Sequence, residues 1–329
     1  MNPIILVAET GSDLTPELAS QYNIKIVPMH VSFDTETLDD GSFPVEKICD
    51  YYHDTRKLPR TSGCSPEDFI TAFDEIHEQY PDSQILYLAY SAVTTCSYQS
   101  ALIAAQDRDY VTAIDTKQVS IGQAAVVTAV AKLLKEHPEM TIEEAADTAR
   151  ELLSRAKMCF LPDNLEFLRA GGRVSNAVCL GSRILNIHPC IEILDGKLVA
   201  TKKYRGKMKK VVRQLIEDYS DSYRLERDVL WMYIRSACRM RYVPLPKRRP
   251  KHADLKKYTG FRHRALLQPM AVLQLLELPD FQAFPDNQKG SVNHHDIYIK
   301  KGHCTMDEYH LWCNDPLFHS VFTLSLHTH

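Results

Sequence analysis

Short apolar runs of strand length alternate with helical patterns through the first 135 residues. Residues 4–8, 24–27, 85–90 and 111–114 are apolar at nearly every position, as in strands buried on both faces. Between and after them, residues 16–22, 45–55, 66–80, 98–106 and 118–135 carry helical periodicity. That alternation predicts a parallel, doubly wound sheet with helices on both faces. Ser65 reads as an N-cap, with Pro66 at the first helical position and Asp68 completing a capping box. Thr141-Ile142-Glu143-Glu144 opens a further helix with the same device. This helix ends near Ala156 and bridges to a different pattern. Residues 158–161, 190–194 and 198–201 read as strands, Asp195-Gly196 as a hairpin turn, and 206–219 as a helix.

The predicted fold class is therefore α/β, a parallel doubly wound N-terminal domain followed by a smaller α+β domain, with ligand between them. The boundaries fall at 1–156 and 157–268, leaving 269–329 as an atypical tail. At 329 residues the chain has length for about two domains. A net charge of -3 implies no general polyanion-binding surface. No run of about 18 apolar residues predicts a membrane span. The N-terminus enters a strand without a basic leader, which predicts a cytoplasmic protein. The nine cysteines lack paired spacing and read as free thiols, mainly buried.

Candidate chemistry lies at two turns. Ser91, Thr94, Thr95, Ser97 and Ser100 crowd a strand-to-helix turn, where free backbone N–H groups suit a carboxylate or phosphate. Ordinary N-capping by Ser and Thr is the plainer account. The second turn runs from Arg60 to Phe69. Capping explains Ser65 to Asp68 but leaves Thr61 and Ser62 unexplained. Two hydroxyl turns in one parallel-sheet domain could converge on one ligand.

These motifs together resemble the DegV family of bacterial fatty-acid-binding proteins. Val7-Ala8-Glu9-Thr10-Gly11-Ser12-Asp13-Leu14 resembles the family's opening strand, which usually ends Asp-Ser. Ile26-Val27-Pro28-Met29 and Asp39-Asp40-Gly41 follow at the family's spacing. Thr61-Ser62 begins its Thr-Ser-x-Pro-Ser turn, with Cys64 where Pro is usual. Thr95-Cys96-Ser97-Tyr98-Gln99-Ser100-Ala101 resembles Ser-Gly-Thr-Tyr-Gln-Ser-Ala. Asp115-Thr116 and Ser120-x-Gly122 follow. Leu165-Glu166-Phe167-Leu168-Arg169-Ala170-Gly171-Gly172-Arg173-Val174-Ser175 is the strongest match. Leu185-Asn186-Ile187-His188-Pro189, Asp195-Gly196-Lys197-Leu198 and Arg205-Gly206-Lys207 complete it.

The resemblance implies a binding protein rather than an enzyme. Its acyl tail would lie in an apolar tunnel, each buried CH₂ contributing about 0.8 kcal/mol. It implies that Thr61 and Thr95 hydrogen-bond the fatty-acid carboxylate, with Ser62 and Ser97 beside them. It also implies an ATP-dependent fatty acid kinase as partner, which phosphorylates the presented carboxylate. Arg173 and Arg205 are candidates for phosphate or partner contact, since guanidinium suits such groups; a structural ion pair is the alternative for Arg173. Lys202, Lys203, Lys207, Lys209 and Lys210 form a basic cluster that reads first as a solvated face. No cofactor, metal, nucleic acid or catalytic residue is implied. A different class of reading is an enzyme or binding module for a small phosphorylated or carboxylated metabolite, using the same residues as an anion cradle. No GxSxG, P-loop or GxGxxG is present, and the late His and Cys residues match no standard zinc spacing.

The resemblance fades after about residue 232. The family's late His followed by Gly-Pro-Gly is missing after Trp231, although Leu255 to Phe261 again resembles a late helix. Nine of the 14 histidines lie from 252 onward. A divergent tail or added segment is one reading, and a reading frame disturbed near residue 268 is the other, to be decided by the coding DNA.

Overall fold

A computed structural model describes residues 3–44, 46–162, 165, 168–169, 171–173, 187–222, 229–235, 270–277 and 321–326. Val174 and Ser175, the 185–186 pair, the basic stretch from Arg239 to Lys251, the 255–261 segment and the late His and Cys groups lie outside them.

Four parallel strands form the first sheet: β1 (Ile4–Glu9), β2 (Lys25–Val27), β6 (Gln84–Ala89) and β7 (Val111–Asp115), in the order β2-β1-β6-β7. Side chains alternate across it, and both faces are apolar. Ile5, Val7, Ile85 and Tyr87 pack under α3 (Pro66–Gln79) and α4 (Ser97–Ala104) with Phe69, Phe73 and Ala101. Leu6, Ala8, Leu86 and Leu88 pack on the other face under α5 (Ile121–Glu136) and α6 (Ile142–Arg155). Burial on both faces explains why these strands read as continuous apolar runs. α1 (Pro16–Gln21) links β1 to β2 and is capped by the Thr15 hydroxyl, which accepts from Leu18 N–H at 3.2 Å.

A second, small sheet falls where no strand is predicted from sequence. β3 (His30–Phe33), β4 (Glu36–Asp39) and β5 (Arg60–Ser62) pair antiparallel in the order β4-β3-β5. Its apolar face, with Val31 and Phe33, closes on Ile48 and Tyr51 of α2 (Glu46–Thr55) and on Phe43 before it. Its strands hold three or four residues and are rich in polar side chains, so no apolar run marks them.

α6 ends with Arg155 and passes directly into β8 (Ala156–Pro162). β9 (Ile187–Leu194) and β10 (Lys197–Arg205) form the hairpin expected at Asp195-Gly196, where both residues adopt positive φ, 49° and 79°. The sheet runs β10-β9-β8-β12-β11-β13, with β11 (Val229–Arg235), β12 (Met270–Glu277) and β13 (Val321–Leu326). Strands therefore lie on both sides of the boundary expected at 268. Met158, Phe160, Ile191 and Ile193 face α5, whose Ile121, Ala124 and Ala125 join the same cluster. On the opposite face, Glu192 accepts from the Tyr219 hydroxyl of α7 (Met208–Ser222).

Candidate ligand-binding site

Parallel strands place all their C-terminal ends on one edge. In this sheet β1 leads to β2 on one side, and the chain then crosses to β6 on the other. The β1/β6 boundary is therefore a topological switch point, and its carboxyl edge is where open α/β sheets bind ligands. Glu9 ends β1 there, and Tyr90 and Ser91 follow β6.

The two hydroxyl turns meet above this edge. The Cys64 N–H donates to Ser97 Oγ at 3.1 Å, joining the start of α3 to the start of α4. Thr95 Oγ1 lies 3.2 Å from Ser97 Oγ, and Ser97 N–H donates back to Thr95 Oγ1 at 3.4 Å. Gly63 makes this approach possible: a Cβ there would stand 2.1 Å from Thr95 Oγ1 and 2.6 Å from Ser97 Oγ. Ser97 is buried, yet its hydroxyl serves the neighbouring turn instead of capping its own helix. Cys96, the cap residue, makes no side-chain cap bond. The first turn of α4 holds no acidic residue, whereas that of α3 holds Glu67 and Asp68. The positive end of α4 is thus left to attract an anion.

Thr61 and Ser62 sit on β5 as neighbours, so they face opposite sides of the small sheet. Thr61 pairs with Val31 on the apolar face, and Ser62 pairs with His30 on the polar face. Thr61 is exposed and lies two residues, about 7 Å of extended chain, before Gly63. Capping at Ser65 is as expected: its hydroxyl accepts from Asp68 N–H, and Asp68 accepts from Ser65 N–H at 2.6 Å. Sequence patterning missed a third partner. His30 Nε2 lies 2.8 Å from Asp68 Oδ2, and His30 Nδ1 lies 3.0 Å from Asp39 Oδ1. Burial opposes charge on this ring, but the Asp68 and Asp39 carboxylates outweigh it and raise its pKa. Burial likewise resists ionisation of Asp68, and His30 and Ser65 overcome it to lower that pKa.

Beneath the turns lies a buried carboxyl that sequence reading also passed over. Glu9 is 0 % exposed. It accepts from the Tyr87 hydroxyl, from Tyr90 N–H at 3.1 Å and from Gln123 Nε2 at 2.6 Å. Burial raises its pKa despite these donors. Burial, with the Glu9 charge added, pushes the Cys64 thiol and the Tyr87 phenol upward as well, so neither is an activated nucleophile. Cys96 is exposed, while Cys64, Cys159 and Cys190 are buried free thiols.

Arg173 joins the site from the other side. Gly172 N–H donates to Arg169 O and Arg173 N–H to Leu168 O, a Schellman arrangement with Gly172 at φ 70°. That turn delivers the guanidinium to the carbonyls of Gly171 and Thr94, the latter at 3.1 Å. Among the described residues its hydrogen-bond partners are these two carbonyls. Arg205 is not brought to this cluster. It lies at the far end of β10, about 30 Å along the strand from Gly196, which touches Ser91. Among the described residues no group of His, Cys, Asp and Glu is arranged to hold a metal ion. Nor is any helix among them long and apolar enough to cross a membrane.

Fold and site define an α/β protein with hydroxyl and N–H donors gathered at the switch point of its parallel sheet. The chain belongs to the DegV family: the family's pattern, described as an uncharacterised protein of that family, matches residues 3–241. A DegV domain-containing protein of Caldanaerobacter subterraneus is 28% identical over 221 residues, 66% of this chain and 76% of the relative. A fatty acid-binding protein of Thermotoga maritima is 28% identical over 218 residues, 64% and 74% of the two chains. Among solved structures, a DegV family protein from Thermus thermophilus, described for its fatty acid binding, has a TM-score of 0.67 at 22% identity, covering 84% of this chain and 100% of its own. A Thermotoga maritima structure said to reveal fatty acid binding function has a TM-score of 0.57 at 26% identity, covering 67% and 78%.

Proposed function

We propose that the protein binds a long-chain fatty acid and presents its carboxylate to an ATP-dependent fatty acid kinase. The observation that carries this reading is the contact of the two hydroxyl turns at Gly63, where Thr95 and Ser97 meet the start of α3. Ser97 Oγ accepts the Cys64 N–H; with its own proton given to Thr95 Oγ1, the Thr95 hydroxyl is left to donate to a ligand oxygen. Thr61 adds a second hydroxyl from β5, and Ser62 stands beside it on the opposite face. Donors without full charge can hold a carboxylate while leaving it reactive. Fatty acid binding by the Thermotoga maritima relative supports the same ligand class here. Arg173, beside this turn, has guanidinium N–H groups to spare for the more highly charged acyl phosphate. Arg205 would serve a more distant part of the kinase contact.

The protein contributes the pocket and the partner contributes the phosphate, so the pure protein alone transfers none. Native mass spectrometry after gentle purification is expected to show a co-purifying acyl chain. A ligand-free protein that also refuses added oleate overturns the reading. Phosphotransfer by the pure protein, without kinase, would overturn the carrier role instead.

A further inference from the structure

The hydroxyl turn is held down by the β9–β10 hairpin tip. Ser91 is fully buried, and its hydroxyl donates to Gly196 O at 2.8 Å. Gly196 has no Cβ to obstruct this; one would stand 2.7 Å from Ser91 Oγ and 3.2 Å from Val93 Cγ2. Lys117 pairs with Asp195 beside it, and Arg173 ties down the Thr94 carbonyl. The same turn is braced from below: Ser91 N–H donates to Gln118 O, and Asp115 accepts from the N–H groups of Ala92 and Lys117.

Two properties separate this contact from ordinary packing. Positive φ at two non-glycine residues brackets it, Lys117 at 51° and Asp195 at 49°. Such conformations persist where surrounding structure holds them, often at clamps and switches. The contact is also thin. The Lys117 and Asp195 side chains are 57% and 80% exposed, so their pairing is weak in water. Two exposed apolar side chains, Val93 and Leu194, flank the tip at 54% and 48% exposure. Away from the tip, the hairpin is fastened by an antiparallel ladder from Ile187 to Arg205, interrupted by a bulge at Thr201.

We infer that the Asp195-Gly196 tip, Ser91 and Arg173 form a strap over the Thr95 turn, and that the strap must lift for a fatty acid to enter or leave. The inference rests on the fatty-acid reading above. A strap present in both the empty and the loaded protein sets the rate of exchange in both directions. Loosening it therefore speeds uptake and release together and leaves Kd nearly unchanged, unlike loss of a residue that touches the carboxylate.

The test uses the full chain and a palmitate analogue carrying a fluorophore, followed by stopped flow. Gly196→Ala is expected to speed release and uptake each by about tenfold, as gating steps act on rates. A reversible lock guards against misfolding of that variant. With Cys96→Ser removing the exposed thiol among the described cysteines, Ser91→Cys and Gly196→Cys place two thiols within disulfide reach. The oxidised lock is expected to exchange probe far more slowly than the same protein after reduction. Equal rates in the two redox states overturn the strap. A Gly196→Ala effect confined to Kd, with uptake unchanged, overturns it too. If wild-type protein takes up no probe, the fatty-acid reading fails instead. The strap is then read by amide exchange at Thr94 and Thr95, which must be faster in Gly196→Ala than in wild type if the strap exists.

Discussion

Thr95 and His30 show how a single side chain can be judged by its partners. On the proposed reading, Thr95→Ala removes a donor to the ligand carboxylate, so acyl affinity should fall by about 1.5–3 kcal/mol, the usual worth of such a bond. Thr61→Ala should act similarly, and both proteins should melt near the wild-type temperature. Titration with the fluorescent palmitate analogue reads the affinity; unchanged binding by Thr95→Ala would remove it from the site. His30 predicts a pH dependence. Both of its ring nitrogens face carboxylates, and both donate only when the ring is protonated. Its folded pKa is raised, so its contribution is fully present below the unfolded value of about 6.5 and fades as pH rises through the folded pKa. Asp68 is lowered, so its contribution is present above about 3.9 and fades as pH falls through its folded pKa. His30→Gln should therefore lower the melting temperature most near pH ~5.5 and hardly at all near pH ~9. A uniform loss across that range would mean the ring acts by packing and not by charge.

At the scale of elements, the β5–α3 and β6–α4 turns depend on one missing methyl. Gly63→Ala would set a Cβ 2.1 Å from Thr95 Oγ1, forcing Thr95 or the β5–α3 turn aside. Acyl uptake should be lost while far-UV circular dichroism stays near wild type, because the elements themselves remain. Retained uptake would show that the turns need not touch. These elements were unevenly legible in the sequence. Buried parallel strands announce themselves as solid apolar runs, and the Ser65–Asp68 and Thr141–Glu144 boxes marked their helices correctly. Asp195-Gly196 marked its hairpin. The β3–β4–β5 sheet escaped because His30, Ser32, Thr37 and Arg60 share one polar face, leaving Val31, Phe33 and Leu38 as scattered apolar signals. Thr61 and Ser62 consequently looked like a turn. Glu9 and its donors escaped for a different reason: Tyr87 and Gln123 lie 78 and 114 residues away, and only folding joins them. The convergence at Gly63 is equally non-local, although both hydroxyl clusters stood out individually.

For the molecule as a whole, helix α5 has the widest reach. Val126, Val127, Ala129 and Val130 pack with Leu6, Ala8, Leu86 and Leu88 of the parallel sheet. Ile121, Ala124 and Ala125 pack with Met158, Phe160, Ile191 and Ile193 of the antiparallel one. A helix apolar on nearly every side belongs inside a structure, and small alanines let both sheets come close. Neither sheet can therefore lose its order while α5 stays fully covered. The chain carries two architectures but a shared keystone, so heat should melt it as one cooperative unit. Scanning calorimetry should give a single peak whose van't Hoff and calorimetric enthalpies agree. Two resolved peaks would mean that each sheet keeps its own core without the helix. Replacing Ala124 by Leu should lower that one peak without splitting it, since an overfilled keystone loosens both sheets at once.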